Sequence, residues 1–297
     1  MRRRLPGCVE KHSANHCKCG LPLRRRIFMS KIDDTFARLR GDGRKALMPF
    51  ATAGDPDLEF TALVLEEFAR RGCSLCEVGI PYSDPIADGP VIQASYTRAL
   101  AHKIKLAEIL NTLSYVAPKV STPLVTMVSY AIAYRHGLER YVNDAKQAGI
   151  AGAIVPDLLV EESGPLAKIC RAADFSLIQL VTPTTPRERA LRIAEASTGF
   201  IYYVSVTGIT GERRELPPDL IDNVGWLREK TPLPICIGFG ISTPKHVRLL
   251  APVADGLIVG SAIVRRIASA ADRRGTEVVA EIGQYVSELL QALGGAS

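Results

Sequence analysis

The chain has 297 residues, 47% of them hydrophobic and 23% charged, which are the proportions of an ordinary soluble globular protein with a large core. These proportions exclude collagen-like, disordered and small disulfide-stapled proteins, and no apolar run approaches the roughly 18 residues that a membrane span needs. The net charge of +6 is concentrated at the amino terminus, because residues 1–28 contain eight Lys or Arg residues and one Glu. Residues 29–297 are therefore nearly neutral, which argues against nucleic-acid binding by the body of the chain.

The basic segment 1–28 is predicted to be an extension rather than a folded domain. It lacks the apolar stretch of a secretory signal. Its five possible zinc ligands are Cys8, His12, His16, Cys17 and Cys19. Their spacing matches no usual zinc finger, so we interpret the segment as a disordered or artefactual extension without a metal, and any nucleic-acid role would have to reside there. We expect the folded domain to span residues 29–297, with Ser30 capping a first helix that continues through Leu39.

Eight short apolar runs rich in β-branched residues predict strands, at residues 46–52, 74–79, 124–129, 153–155, 176–181, 200–204, 234–237 and 256–259. Amphipathic stretches between them predict helices, at residues 58–71, 90–101, 105–117, 137–148, 164–173, 187–196, 220–230, 244–250 and 278–293. Buried strands that alternate with helices imply a parallel sheet, and eight such units imply a single (β/α)8 TIM barrel. An open doubly wound sheet is the alternative, but no GxGxxG motif follows the first strand. One local conflict is Pro49, which removes a ladder donor from that strand.

Four cysteines of the body, Cys73, Cys76, Cys170 and Cys236, lie in apolar segments. This setting favours reduced core thiols and a reducing compartment, the cytoplasm. The spacing of Cys73 and Cys76 also matches a redox motif, but the pair runs into a predicted strand instead of opening a helix. We therefore expect core thiols.

A carboxylate, Glu77, interrupts the second predicted strand. Burying it without a partner costs several kcal/mol, so one interpretation is a structural ion pair in the barrel interior. Asp88 follows on a loop shaped by Pro and Gly at the same rim, with Asp84 between the two. In a barrel the working groups lie at the carboxyl ends of the strands, and paired carboxylates suit acid and base catalysis. We predict that Glu77 and Asp88 are catalytic.

Glycine-rich segments follow the last three predicted strands, at residues 207–211, 238–242 and 260–261. Each segment alone is typical of a tight turn. Barrels commonly bind phosphate with the loops after strands seven and eight and a short helix amino terminus, where backbone N–H groups meet negative charge. Together the three segments predict a phosphate pocket.

These residues closely resemble the α subunit of tryptophan synthase. The resemblance covers about residues 29–266 and rests on residues 49–56, 77–93, 160–163, 207–211, 238–242 and 260–264. It implies a lyase of tryptophan biosynthesis that cleaves indole-3-glycerol phosphate to indole and glyceraldehyde 3-phosphate. It also implies that this subunit needs no metal or cofactor, and that its partner in an α2β2 complex is a β subunit that uses pyridoxal phosphate.

The resemblance assigns roles to individual residues. Glu77 would serve the proton transfers, and Asp88 would hold the indole N–H and its developing positive charge. Residues that resemble the indole-facing wall or lie beside the catalytic Glu are Phe50, residues 124–127, Tyr130 and Tyr202. Residues that resemble the phosphate site and its surroundings are Gly211, Phe239, Gly240, Gly260 and Ser261. Thr210 would anchor a mobile lid, residues 207–217, onto Asp88.

Three positions depart from the usual family pattern. Tyr96 replaces a smaller polar residue, Ile132 replaces an Asn, and Val206 replaces an Arg. We expect all three to border the partner surface or the mobile loop.

Two other functions fit a phosphate-binding barrel. Some barrels use a Lys, or a Glu and Lys pair, for isomerisation or ring closure, but no Lys occupies a predicted strand end. A barrel could also survive mainly to activate its partner. An assay of the isolated chain on indole-3-glycerol phosphate separates this activator from a lyase.

Overall fold

The computed structural model describes residues 30–85, 88–205, 219–238, 240–271 and 273–294. The predicted extension 1–28 and the predicted lid 207–217 lie outside these residues. The described part contains nine strands, which are β1 (Ala46–Thr52), β2 (Cys76–Gly79), β3 (Leu124–Met127), β4 (Ile150–Ile154), β5 (Ser176–Ile178), β6 (Leu180–Val181), β7 (Ile201–Val204), β8 (Ile235–Gly238) and β9 (Gly256–Val259). Its twelve α-helices are α1 (Lys31–Gly41), α2 (Leu58–Arg70), α3 (Pro90–Ala101), α4 (Leu106–Val116), α5 (Tyr130–His136), α6 (Leu138–Gln147), α7 (Gly164–Ala172), α8 (Arg187–Ala196), α9 (Leu220–Lys230), α10 (Pro244–Leu250), α11 (Ser261–Ala268) and α12 (Gly275–Gly294).

The strands form one parallel sheet in the order β5-β4-β3-β2-β1-β9-β8-β7-β6. Its two end strands, β5 and β6, are consecutive in the chain and are separated only by Gln179, so the sheet curves into a nearly closed barrel. The predicted (β/α)8 barrel is confirmed. The structure divides the predicted strand 176–181 in two at Gln179, which gives nine strands instead of eight.

Strand β1 shows how the sheet separates two cores. It continues through Pro49, whose register partner is Val259 of β9. Met48 and Phe50 belong to the buried cluster inside the barrel, whereas Leu47 belongs to the larger cluster between the sheet and the helices. This alternation follows from the two-residue period of a strand, and it directs the side chain of every second residue into the barrel.

Helix α1 closes the amino-terminal end of the barrel. Ser30 caps it as predicted, because its hydroxyl accepts from the Asp33 amide at 3.3 Å and the Asp33 carboxylate accepts from the Ser30 amide at 2.8 Å. The helix buries Phe36 against Phe200, with ring centroids 5.8 Å apart. The opposite end of the barrel, at the carboxyl ends of the strands, carries the candidate active site.

The four body cysteines are buried free thiols. Burial raises the pKa of Cys73 and Cys170 to about 12, which leaves these thiols protonated at neutral pH. Cys76 begins β2 and does not open a helix. The prediction of core thiols is confirmed. No helix within the described part of the chain is long and apolar enough to cross a membrane.

Candidate active site

Glu77 lies inside the barrel on β2, where every residue is buried. Its side chain is 3% exposed, and neither carboxylate oxygen has a hydrogen-bond partner among the described residues. The alternative of a structural ion pair therefore does not hold for this carboxylate. Burial, followed by the charge of Asp88, raises the pKa of Glu77 to about 8. Glu77 is accordingly a protonated acid at neutral pH.

Asp88 stands two residues before α3, next to its N-cap Gly89, at the end of the loop that follows β2. Its backbone amide donates to the Pro85 carbonyl at 3.1 Å. The Gln93 side chain, one turn into α3, donates to the carbonyls of Asp88 and Pro85 at 2.7 and 3.1 Å. Asp88 is 9% exposed, and burial raises its pKa to about 6. It is therefore largely ionised at neutral pH, in contrast to Glu77.

An ion pair anchors α3, and with it the loop that carries Asp88. Arg98 of α3 donates through Nε and Nη2 to the two carboxylate oxygens of Asp55, at 2.8 and 2.7 Å. Asp55 is 1% exposed and follows β1, the strand beside β2. This two-bond geometry fixes the orientation of α3 relative to the barrel rim.

Two glycines make room for aromatic rings beside the acids. A Cβ on Gly79 would overlap the ring of Phe50, and a Cβ on Gly238 would overlap the ring and hydroxyl of Tyr202. Phe50 is the register partner of Glu77. Burial, and then the charges of Glu77 and Asp88, raise the pKa of Tyr202 well above its usual range, so its hydroxyl stays neutral beside both carboxylates.

Tyr96 belongs to the buried cluster inside the barrel, so its side chain offers no exposed surface to a partner. The mobile loop lies outside the described residues, so the expectation that Tyr96 borders that loop stays a prediction. It is 1% exposed, and its ring packs against Tyr82 with centroids 5.7 Å apart. Its hydroxyl is 3.1 Å from the position of a Cβ on Gly79. Reasoning from sequence missed Tyr82 although it lies in the segment between the two acids. Of the other departures, Ile132 is half-buried on α5, and Val206 lies outside the described residues.

The predicted phosphate residues are only partly described. Gly260 directly follows β9, and Ser261 begins α11, so the first backbone N–H groups of this helix lie at the rim without an intrahelical acceptor. Gly240 has a φ of 76°, a conformation that favours glycine. The remaining predicted residues, Thr210, Gly211 and Phe239, lie outside the described residues. Sequence reasoning used Ser261 and Gly260 but did not predict α11 itself.

A further carboxylate, Asp157, organises the rim after β4. It accepts from the Ser129 hydroxyl and from the Tyr130 backbone amide, each at 2.7 Å. Tyr130, the predicted wall residue, is the first residue of α5. Asp157 follows the predicted strand 153–155, so the rule that selected Asp88 could have found it. Among the described residues there is no cluster of three or more His, Cys, Asp or Glu side chains that could hold a metal ion.

The chain matches a known protein family. The sequence profile of the tryptophan synthase alpha chain family matches residues 36–293. The chain is 58% identical over 278 residues to the tryptophan synthase alpha chain of Rhodopirellula baltica, covering 90% of this chain and 100% of that relative. It is 46% identical over 264 residues to the tryptophan synthase alpha chain of Prochlorococcus marinus, covering 89% and 95%.

Solved structures agree with the sequence relatives. The tryptophan synthase subunit alpha of Legionella pneumophila superposes with a TM-score of 0.82 at 32% identity, covering 90% of this chain and 99% of that one. A chain of the tryptophan synthase complex of Pyrococcus furiosus superposes with a TM-score of 0.76 at 34% identity, covering 84% and 99%.

Proposed function

Because the chain belongs to the tryptophan synthase alpha chain family, we propose that Glu77 and Asp88 carry out the reaction of that family. The reaction is the cleavage of indole-3-glycerol phosphate to indole and glyceraldehyde 3-phosphate, a carbon–carbon lyase step of tryptophan biosynthesis. The assignment is supported above all by Glu77, a buried carboxylic acid without a hydrogen-bond partner among the described residues, whose pKa responds to a second carboxylate.

The two acids have the protonation states that a retro-aldol cleavage needs. Protonated Glu77 donates its proton to indole C3, and ionised Asp88 accepts the indole N–H and stabilises the positive charge on the ring. The Glu77 carboxylate then removes the proton of the side-chain hydroxyl. The carbon–carbon bond breaks, its electron pair returns to the indole ring, the hydroxyl oxygen becomes the aldehyde oxygen, and Glu77 is again protonated.

The remaining site residues bind the two ends of the substrate. Residues proposed for the indole wall are Phe50, 124–127, Tyr130 and Tyr202. Residues proposed for the phosphate end are Gly211, Phe239, Gly240, Gly260 and Ser261. The amino terminus of α11 supports the second group, since its N–H groups and helix dipole favour an anion at the rim. No step of this mechanism requires a cofactor in the chain itself.

The proposed partner is a tryptophan synthase β subunit that uses pyridoxal phosphate, in an α2β2 complex. Exposed apolar side chains on the segments after β3 and β4 support a protein surface at the rim: Tyr134 on α5 is 68% exposed and Leu159 is 53% exposed. Four reduced core thiols suit the cytoplasm as the compartment. We also propose that residues 29–297 form the catalytic domain and that residues 1–28 are dispensable.

Substitution of the acids tests the proposal. Glu77→Gln and Asp88→Asn, made separately, should each reduce indole release by the isolated chain at least about 100-fold, with fold and ligand binding nearly intact. The matched control is Asp84→Asn, because Asp84 lies on the same loop but is exposed and, within the described residues, hydrogen-bonds only to Ser83. Most of the activity surviving in either acid variant would contradict the assignment. A wild-type chain that released no indole would indicate that the chain serves mainly to activate its partner subunit.

A further inference from the structure

Asp157 connects two loops at the carboxyl-end rim of the barrel. It lies after β4, while Ser129 and Tyr130 lie after β3, the neighbouring strand. Its Oδ2 accepts from the Ser129 hydroxyl and its Oδ1 from the Tyr130 amide, each at 2.7 Å. Hydrogen bonds to an ionised acceptor are about twice as strong as bonds between neutral groups. The carboxylate therefore fixes the backbone that carries the Tyr130 ring.

The clamp lies at the exposed edge of the rim, where Asp157 itself is exposed and Tyr130 is half-buried. The charge of Asp157 reaches the site residue Tyr82, because burial and then the charges of Asp88, Asp157 and Asp84 raise the pKa of Tyr82 to about 12. Both oxygens of Asp157 accept from donors of the chain itself, which favours a positioning role. Asp157 would therefore affect substrate binding through the residues that it positions, Ser129 and Tyr130.

We infer that Asp157 is a positioning residue that holds Tyr130 against the indole ring of the substrate. The inference rests on the proposed placement of Tyr130 in the indole wall. A correctly placed ring contributes equally to the bound substrate and to the transition state, because it does not touch the atoms that exchange protons. Loss of the clamp should therefore weaken substrate binding and leave the chemical step nearly unchanged.

Asp157→Asn disrupts the paired hydrogen bonds from Ser129 and Tyr130 while keeping the size of the side chain. An amide removes the charge and replaces one acceptor oxygen with an NH2 donor, so the Ser129 hydroxyl and the Tyr130 amide no longer donate to two oxygens of a carboxylate as they do here. We expect the KM for indole-3-glycerol phosphate to rise about five-fold while kcat stays within about two-fold of wild type. Ser129→Ala, which removes one of the two bonds to Asp157 together with the cap bond from the Ala131 amide to Ser129 Oγ, should raise KM about two-fold.

The control is Asp144→Asn. Asp144 bonds to His136, the last residue of α5, at 2.7 Å and so holds the same helix without touching Tyr130. It should leave KM and kcat unchanged. Thermal unfolding of every variant distinguishes a local change of the site from loss of the fold.

A double substitution distinguishes an effect that acts through Tyr130 from a general destabilisation of the rim. Tyr130→Ala should raise KM by itself, and adding Asp157→Asn to it should raise KM no further. An Asp157→Asn effect of equal size in both backgrounds, or an unchanged KM in the single variant, overturns the inference alone. An unchanged KM in Tyr130→Ala overturns the placement of Tyr130, and the inference with it, while Glu77→Gln still tests the lyase chemistry independently.

Discussion

At the scale of single residues, the burial that raises the pKa of Glu77 also lowers the stability of the folded chain. Its pKa rises from an ordinary value of 4.5 to about 8, first through burial and then through the charge of Asp88. Between these two values the folded chain holds a proton that the unfolded chain has released. The free energy of unfolding therefore falls as the pH rises through this window.

Replacing Glu77 with Gln should remove this penalty. We expect Glu77→Gln to raise Tm by several degrees at about pH 8.5 and to leave it nearly unchanged at about pH 4, where the acid is neutral in both states. Thermal unfolding of wild type and variant at the two pH values measures the difference. Asp84→Asn on the exposed part of the loop should show no such gain, and a lower Tm for Glu77→Gln at high pH would contradict the account.

The sequence reveals some of these residues and hides others for a physical reason. Glu77 is recognisable in the sequence because burying a carboxylate in an apolar strand costs free energy, which indicates a structural or catalytic role. Asp88 is recognisable because it follows Glu77 on the same rim of the predicted barrel. The clamp between Asp157 and Tyr130 is not visible in any pattern, since it joins loops 27 residues apart through side-chain geometry. The burial of Tyr96 is hidden in the same way, because it depends on how α3 is rotated against β2.

At the scale of helices and strands, the apolar runs predict the barrel well. Strand β1 occupies the whole predicted run 46–52, and α3, α8, α9 and α10 match their predicted bounds. Two short helices are not predicted, α5 with seven residues and α11 with eight, although α10 with seven residues is predicted. The break at Gln179 is also unpredicted, because the flanking residues continue the apolar pattern.

The two glycines beside the acids should not tolerate a methyl group. Gly79→Ala would press on Phe50 and Gly238→Ala on Tyr202, so each should cost about 1–3 kcal/mol of stability and lower kcat/KM by displacing the ring. Chemical denaturation and steady-state kinetics measure the two effects.

Gly225→Ala is the control for this pair. Gly225 lies within α9 and has open space around a Cβ, so alanine there should stabilise the chain by about 0.5–1 kcal/mol. Equal behaviour of all three alanine variants would contradict the proposed crowding of the site.

At the scale of the whole molecule, we propose that the rim serves both substrate and partner. The exposed side chains of Tyr134 and Leu159 lie on the segments that the Asp157 clamp connects. The lid that sequence composition predicts, residues 207–217, would close over the same rim, and Thr210 would reach Asp88 when it does. A β subunit that prefers the closed form would raise the population of competent sites.

The isolated chain should therefore be a weak lyase, and the cognate β subunit should raise its turnover. Thr210→Val should lose most of that increase, because valine keeps the shape of threonine but cannot hydrogen-bond to Asp88. Indole release measured with and without the β subunit tests this. A chain equally active in both conditions, or a Thr210→Val variant activated as well as wild type, would rule the mechanism out.

The central claim is that a protonated Glu77 and an ionised Asp88 act together. The pH dependence of kcat/KM for indole release by the isolated chain tests it most directly. The pKa values of the two groups, about 6 for Asp88 and about 8 for Glu77, predict a bell-shaped profile. Activity should rise as Asp88 ionises, reach its maximum near neutral pH, and fall as Glu77 loses its proton. A profile that is flat across this range, or that keeps rising above about pH 8, would contradict the assignment of the two acids.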